Sequence, residues 1–398
     1  MPIFDVRHQA RAHRILQRAM CSDRLPHAYI FHGPEGVGKQ TLATRFAELL
    51  LCPNPVTPEA VPELAADDIA WQDACGACED CRLNAAGTHP DMQVVYKELN
   101  RYHPAPEVRA RKAIDLSVDV VRHFVIERVR DRPARGRARV FVVLNSEQMS
   151  VAAQNALLKT LEEPPGAAFI ILVTRSLDRL LPTTLSRCQP VPFVALPDEF
   201  VETCLRQRLP DLPDEQVAFL ARHSDGRLGV AIRLSGAGLF EMKTRLNQVL
   251  VELPKLGPTA FAAHVQEDAA KLAEGYIAEM VETGMIEKAG EAPAAEPTRR
   301  GLMGMLELVS HLYRDALQVG CGRSDGLINA DQVDLVRRMA DRLGPESAAE
   351  VIRDVYRAET DIANNANVPL ALEALAIRLL RHEQRRRPAA PTRAGDTG

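Results

Sequence analysis

Gly33-Pro34-Glu35-Gly36-Val37-Gly38-Lys39-Gln40-Thr41 decides how this chain is read. The apolar run Ala28 to Phe31 precedes it and a helical pattern, Leu42 to Leu51, follows, so the order is strand, glycine-rich loop, helix. Glycines at 33, 36 and 38 let successive backbone N–H groups curl around an anion. Lys39 can reach outer phosphates, and the start of the helix adds positive potential. The stretch is a phosphate cradle. Such a loop asks for Ser or Thr straight after the lysine to hold Mg²⁺. Here Gln40 stands in that place and Thr41 comes one position late, which puts the metal site in doubt.

Around this P-loop, short β-branched runs bounded by polar segments occur at Met92 to Tyr96, Val140 to Leu144 and Phe169 to Val173, the pattern of strands buried on both faces. Helical patterns alternate with them. Ala10, Ile15, Leu16 and Ala19 mark one that ends at Asp23-Arg24-Leu25-Pro26. Val118 to Val129 is a second. Val151 to Glu163 is a third, capped by Ser150, burying Leu157, Leu158 and Leu161 and stopped by Pro164-Pro165. The alternation predicts an α/β domain with a parallel sheet. An extended run, Val191 to Leu196, closes that domain at residue 195. Two small helical segments follow over 196–243, with a turn at Asp225-Gly226-Arg227-Leu228-Gly229 between them. An all-helical region occupies 244–385 and a disordered tail 386–398. Lys288 to Thr298, rich in Ala, Glu and Pro, reads as a linker.

With 398 residues, 46% hydrophobic and 26% charged, the chain can build two or three packed domains and fits no disorder class. A formal charge of −4 gives no global nucleic-acid signal, so any DNA contact must come from local patches. One such patch is the run from Arg122 to Arg139, which could meet a phosphate backbone and reads equally as a solvated helix end and loop. Arg385-Arg386-Arg387 reads as solubilising. No run approaches the roughly eighteen apolar residues that span a bilayer, and the start lacks a signal-peptide core, so a cytoplasmic protein without a membrane role is expected.

In a reducing compartment cysteines suggest metal ligation or free thiols rather than disulfides. Cys75, Cys78 and Cys81 stand at two-residue gaps, and Cys52 lies across a proline-rich excursion that leads to them. Four thiolates can present themselves tetrahedrally to one Zn²⁺ at about 2.3 Å each. The module, 52–81, has slight apolar content, so the metal is expected to supply its local fold. Zinc is the expectation and an iron–sulfur cluster the rival, because CxxCxxC also occurs in ferredoxin-type ligation. His89 is a candidate substitute ligand, with a plain turn residue the preferred reading. Cys21, Cys188, Cys204 and Cys321 are scattered and read as unligated.

A working P-loop ATPase also needs an aspartate, and usually a glutamate beside it, at the end of a neighbouring strand. The strand Val140 to Leu144 runs instead into Asn145-Ser146-Glu147. Neither an amide nor a hydroxyl is a strong base, and Glu147 reads as a surface residue rather than a displaced catalytic acid. Gln40 and Asn145 weaken the same Mg²⁺ site, so hydrolysis by this chain is expected to be poor or absent. Lys39 and the loop amides leave weak ATP or ADP binding open.

Gly33 to Thr41, Val140 to Leu144, Asn155-Ala156-Leu157-Leu158-Lys159-Thr160-Leu161-Glu162-Glu163-Pro164-Pro165 and Ser186-Arg187-Cys188 together resemble the bacterial clamp-loader branch of the AAA+ ATPases. The likeness covers most of residues 1 to 235 and recurs in Asn365 to Glu373, which resembles the collar of those subunits. It implies a AAA+ module with a zinc insertion, a small helical lid and a helical collar that builds a hetero-oligomeric ring. It also gives Arg187 a role as an arginine finger reaching a neighbouring subunit's ATP. A planar, permanently charged guanidinium suits that use. Active relatives carry an arginine in the lid turn where Gly229 stands here. Thr174, at the end of its strand, is a candidate nucleotide sensor and equally an ordinary strand-end residue.

The function expected from this reading is that of a clamp-loader subunit, itself a poor ATPase, in a DNA polymerase III complex. Its partners would be an ATPase subunit, a delta-like subunit and, through the ring, the sliding clamp and primer-template DNA. The alternatives are an autonomous P-loop NTPase acting on DNA and a zinc-stabilised adaptor without a nucleotide role.

Overall fold

The computed structural model describes residues 2–22, 25–58, 70–135, 137–282, 286, 288–291 and 295–384. The chain divides into two compact units, Met1–Phe200 with Gly226–Val230, and Val201–Asp225 with Ala231–Gly398.

The first unit is built on a five-stranded parallel sheet. Its strands are β1 (Ala28–His32), β2 (Met92–Val95), β3 (Arg139–Val143), β4 (Ala168–Thr174) and β5 (Gln189–Pro192), in the spatial order β2-β3-β4-β1-β5. The Val, Ile and Phe side chains of the central strands are buried on both faces, apart from the half-buried Phe169, as a sheet covered by helices requires, while in edge strand β2 Val94 is half-buried. Register is fixed by pairs such as Ile30 with Leu172 and Phe141 with Ile170. The expected strands are all present. The run from Val191 is shorter than predicted as a strand: β5 ends at Pro192, and the chain continues extended as Phe193 N–H donates to the His32 carbonyl at 2.8 Å.

Helices α1 (Ala10–Met20), α2 (Lys39–Leu51), α3 (Glu79–Ala85), α4 (Val118–Val121) and α5 (Val151–Glu162) belong to this unit. Ser150 caps α5 as predicted, its Oγ accepting from Ala153 N–H at 3.2 Å, and Leu157 and Leu161 are buried while Leu158 is half-buried. The single helix expected over 118–129 is instead α4 followed by a wide π turn at Arg122–Ile126 and a tight turn at Arg128–Arg130. That arrangement seats Val120, Val121, Phe124, Val125 and Val129 in the core beside β2 and β3.

In α1 the buried stripe includes His13 and Gln17 rather than Ile15 and Ala19, which are half-buried. Two glutamines explain the polar content of this face. Gln9, just before α1, pairs both ways with the Val194 backbone at 2.9 and 3.0 Å, and Gln17 does the same with Gln72 at 2.7 and 2.8 Å. Each side-chain amide stands in for a strand, pairing with both the N–H and the carbonyl of one backbone residue.

Beyond β5 the described residues hold only helices and turns. These are α6 (Asp198–Arg208), α7 (Asp214–His223), α8 (Leu228–Gly236), α9 (Leu239–Leu256), α10 (Pro258–Glu282), α11 (Ala295–Gly320), α12 (Val333–Ala363) and α13 (Val368–Gln384). In the second unit α10, α11, α12 and α13 pack in a closed cycle, each touching two others around Leu272, Leu306, Val309, Val351 and Leu375. Gly301 lets α10 and α11 approach, since a Cβ there would sit 2.1 Å from the Ala269 carbonyl oxygen. α12 breaks at Gly344, whose φ of 69° precedes Pro345. The linker predicted at 288–298 is shorter than expected, because α11 starts at Ala295. The predicted tail, 386–398, lies outside the described residues. No described helix is long and apolar enough to cross a membrane.

Candidate functional site

In a parallel sheet the loops at the carboxyl ends of the strands face a common crevice. The phosphate loop follows β1, Asn145 follows β3 and Thr174 ends β4, and these three strands are neighbours. The fold therefore brings the predicted nucleotide residues to one edge. Gly33, Gly36 and Gly38 have φ of 139°, 77° and 97°, a region closed to most side chains. A Cβ on Gly33 would also sit 2.3 Å from the Phe193 carbonyl oxygen.

Lys39 opens α2 with its side chain turned back into the loop. Its ammonium donates to the Gly33 carbonyl at 2.7 Å and to the Pro34 carbonyl. It is 6% exposed, and burial pushes its pKa down to about 8, opposed by the Glu35 and Glu147 carboxylates. Gln40 and Thr41 are exposed at the start of the helix. Asn145 sits in the left-handed region at φ 49°. The Thr174 hydroxyl is buried in a local turn, donating to the Ser176 carbonyl at 2.8 Å and accepting from Ser176 N–H at 3.2 Å.

Sequence reasoning missed two features of this edge. Glu147, read as a surface residue, is held with Glu35 by one guanidinium: Arg175 reaches Glu35 at 2.7 Å and Glu147 at 3.0 Å. Burial opposes the arginine's charge, but the two carboxylates outweigh it and push its pKa up. The second feature is the start of α8, where Gly229 N–H donates to the Gly36 carbonyl. Only tertiary structure joins these residues, so no local signal could have found them.

Arg187 lies elsewhere. β1 and β5 are parallel with Tyr29 opposite Gln189, so Arg187 sits by the amino ends of the strands, whereas the phosphate loop follows His32 at the other end. About four or five residues of strand separate the two, on the order of 15 Å at 3.3 Å per residue. Its guanidinium donates to the Thr183 carbonyl at 2.9 Å and pairs with Glu162 at 2.6 Å. Burial pushes the neighbouring Cys188 thiol up to about 12, so that side chain is a packed apolar group rather than a nucleophile.

Cys52, Cys75, Cys78 and Cys81 form one cluster, their sulfurs all within 4.8 Å of one another. Sulfurs around a tetrahedral ion with bonds of about 2.3 Å stand about 3.8 Å apart; Cys52 and Cys75 are 3.6 Å apart and Cys75 and Cys81 3.9 Å. Backbone N–H groups of Cys75, Cys78 and Cys81 point at the sulfurs of Cys52, Cys75 and Cys78 at 3.4, 3.3 and 3.4 Å, donors that favour thiolates. Such donors pull the Cys75 thiol down to about 6, whereas burial pushes Cys52 and Cys81 up. The cluster fits a divalent ion that takes sulfur ligands.

His89 is not part of it. Its Nδ1 accepts from Asp91 N–H at 3.1 Å, which leaves Nε2–H to face Asp80 at 3.2 Å. The module has more than a metal to hold it. Trp71 packs edge-on against Phe4, Asp73 accepts from Ile3 N–H at 3.0 Å, and Val56 bridges Asp73.

A family model described as DNA polymerase III, delta subunit, matches residues 8–197, and the corresponding C-terminal model matches 299–381. The DNA polymerase III subunit delta' of Escherichia coli is 30% identical over 74% of this chain and 80% of its own length. The delta' subunit of Pseudomonas aeruginosa is 37% identical over 58% of this chain, which spans 62% of that protein. The Bacillus subtilis delta' subunit is 24% identical over 93% of this chain and 96% of its own. On these matches, the chain belongs to the DNA polymerase III delta-prime subunit family.

Proposed function

We propose that the chain serves as a clamp-loader subunit of the DNA polymerase III holoenzyme that hydrolyses no ATP itself and lends Arg187 to the nucleotide site of a neighbouring ATPase subunit. One observation carries this reading: Arg187 stands at the opposite end of the strands from its own phosphate loop. An arginine so placed cannot reach phosphates in its own cradle, and its use lies across a subunit boundary. The chain's own site supports the same division of labour. Gln40 and Asn145 supply neither a Mg²⁺ hydroxyl nor a carboxylate, and the Lys39 ammonium is engaged by its own loop. The partners are an ATPase subunit and a delta-like subunit in a hetero-oligomeric ring, which acts on the sliding clamp and primer-template DNA. A structural zinc occupies the four cysteines.

Reconstitution with an active ATPase subunit tests this. Arg187→Ala lowers turnover at the neighbouring site by about 10³- to 10⁵-fold, the range for arginine fingers, while Lys39→Ala changes little. Mg²⁺-dependent hydrolysis by the chain alone, abolished by Lys39→Ala, would instead favour an autonomous NTPase.

A further inference from the structure

Two stretches of the sequence, the end of α5 and the turn after the short helix Pro182–Leu185, meet in one contact: Glu162 Oε1 lies 2.6 Å from Arg187 Nη2. The other end of the guanidinium is held too, with Nη1 donating to the Thr183 carbonyl at 2.9 Å and lying 3.4 Å from Ser186 Oγ. We propose that Glu162 is a positioning residue for Arg187, fixing the guanidinium plane before the neighbouring subunit arrives. This rests on the reading of Arg187 as an arginine used in trans.

The argument turns on what such a pair is good for. Glu162 is 55% exposed and Arg187 29%, so the bond stands in water and adds little to folding stability. Its effect is conformational. A free arginine side chain samples many rotamers, and ordering it during assembly subtracts from the interaction it makes with the transferring phosphate. Two anchors, one on each Nη, restrict the plane of the fork while part of the side chain remains exposed. Glu162 comes from the last turn of a helix whose Leu157 and Leu161 are buried in the sheet's core, so the anchor itself is fixed. Reactions that depend on orientation are sensitive to small displacements of such groups.

Two measurements test the proposal. In the chain alone, modification of Arg187 by phenylglyoxal, followed by peptide mass spectrometry, proceeds about threefold faster in Glu162→Ala, as loss of a surface pair predicts. Glu162→Gln, which keeps an acceptor oxygen, is intermediate. In the reconstituted ring, Glu162→Ala lowers the neighbour's kcat about tenfold with KM for ATP and ring assembly unchanged, and the double variant with Arg187→Ala is no worse than Arg187→Ala alone. An unchanged modification rate, or a kcat loss that adds to that of Arg187→Ala, overturns the positioning role while leaving the arginine finger intact. A silent Arg187→Ala overturns the finger reading, and the role of Glu162 in trans with it, whatever the modification rate.

Discussion

Gly229 N–H donates to the Gly36 carbonyl across 2.9 Å, joining the first turn of α8 to the crest of the phosphate loop. The contact leaves no room for side chains. A Cβ on Gly229 would stand 3.1 Å from Gly36 Cα, and one on Gly36 would stand 2.9 Å from Val230 N. Restoring the arginine expected of active relatives is therefore not a simple reversion. Gly229→Arg presses its own Cβ into the loop, costs about 1–3 kcal/mol as overpacking does, and brings no ATPase activity. A lower denaturation midpoint without turnover is the expected pair of results, and a fully stable, hydrolysing variant contradicts it.

Lys39 makes a pH-dependent contribution whose sign follows from its burial. Its ammonium is disfavoured in the folded chain, with a pKa of about 8 against an ordinary 10.5. Between these values the unfolded chain binds more protons, so stability rises with pH from about 8 to 10.5 and the penalty is fully present below 8. The size is about 3 kcal/mol. In denaturant titrations at pH 7.5 and 10.5, the parent gains on Lys39→Met by an amount of that order. A difference that stays flat across this range would show that the lysine is solvated.

The strands were legible because a parallel sheet covered on both faces needs uninterrupted β-branched runs, and Val140 to Leu144 or Phe169 to Val173 have no other comfortable environment. The cysteine module was legible for a similar reason: thiols at two-residue gaps can close on one ion. Gln9 and Gln17 were not, since an amide on a helix reads as solvated until the backbone it satisfies, at Val194 and Gln72, comes into view. The π turn at Arg122–Ile126 escaped because the apolar spacing of Val120, Val121, Phe124 and Val125 also fits an ordinary α-helix. Arg175 with Glu35 and Glu147 escaped because three loops, far apart in sequence, supply one residue each.

The arginines between 122 and 139 divide into two groups. Arg135 pairs with Glu79 at 2.6 Å and with Asp80, Arg137 donates to the carbonyls of Cys52 and of Pro53, and Arg139 donates to the Arg128 carbonyl at 2.9 Å. Arg130 and Arg132 are exposed. Arg135 and Arg137 tie the loop to the cysteine module, as outer-shell groups tie down a metal site, while Arg139 holds the preceding turn. Arg137→Ala accordingly weakens metal retention about tenfold, the lower end of outer-shell effects, measured by competition with a chelator, and leaves the salt dependence of DNA binding by the assembled ring unchanged. Retention equal to the parent's would show that these contacts are incidental.

Metal removal tests the cysteine cluster itself. Sulfur spacings of 3.6 and 3.9 Å match a tetrahedral thiolate site, so the purified chain is expected to carry one zinc and to show no broad visible absorption of the kind an iron–sulfur cluster gives. A metal is not needed as the sole support, because Trp71, Asp73 and Gln17 pin the same segment to the amino-terminal residues. The sheet core around Ile30, Phe141 and Ile170 uses none of the four cysteines. Chelation, or Cys81→Ser, should therefore leave far-UV circular dichroism nearly intact while opening the 52–91 segment to protease. A loss of about 2–3 kcal/mol corresponds to a Tm lower by roughly 5–10 °C for a unit of this size. Global unfolding on chelation would mean that the metal organises the whole unit, whereas an unchanged Tm and protease pattern would mean that the packing of Trp71 and its neighbours suffices without an ion.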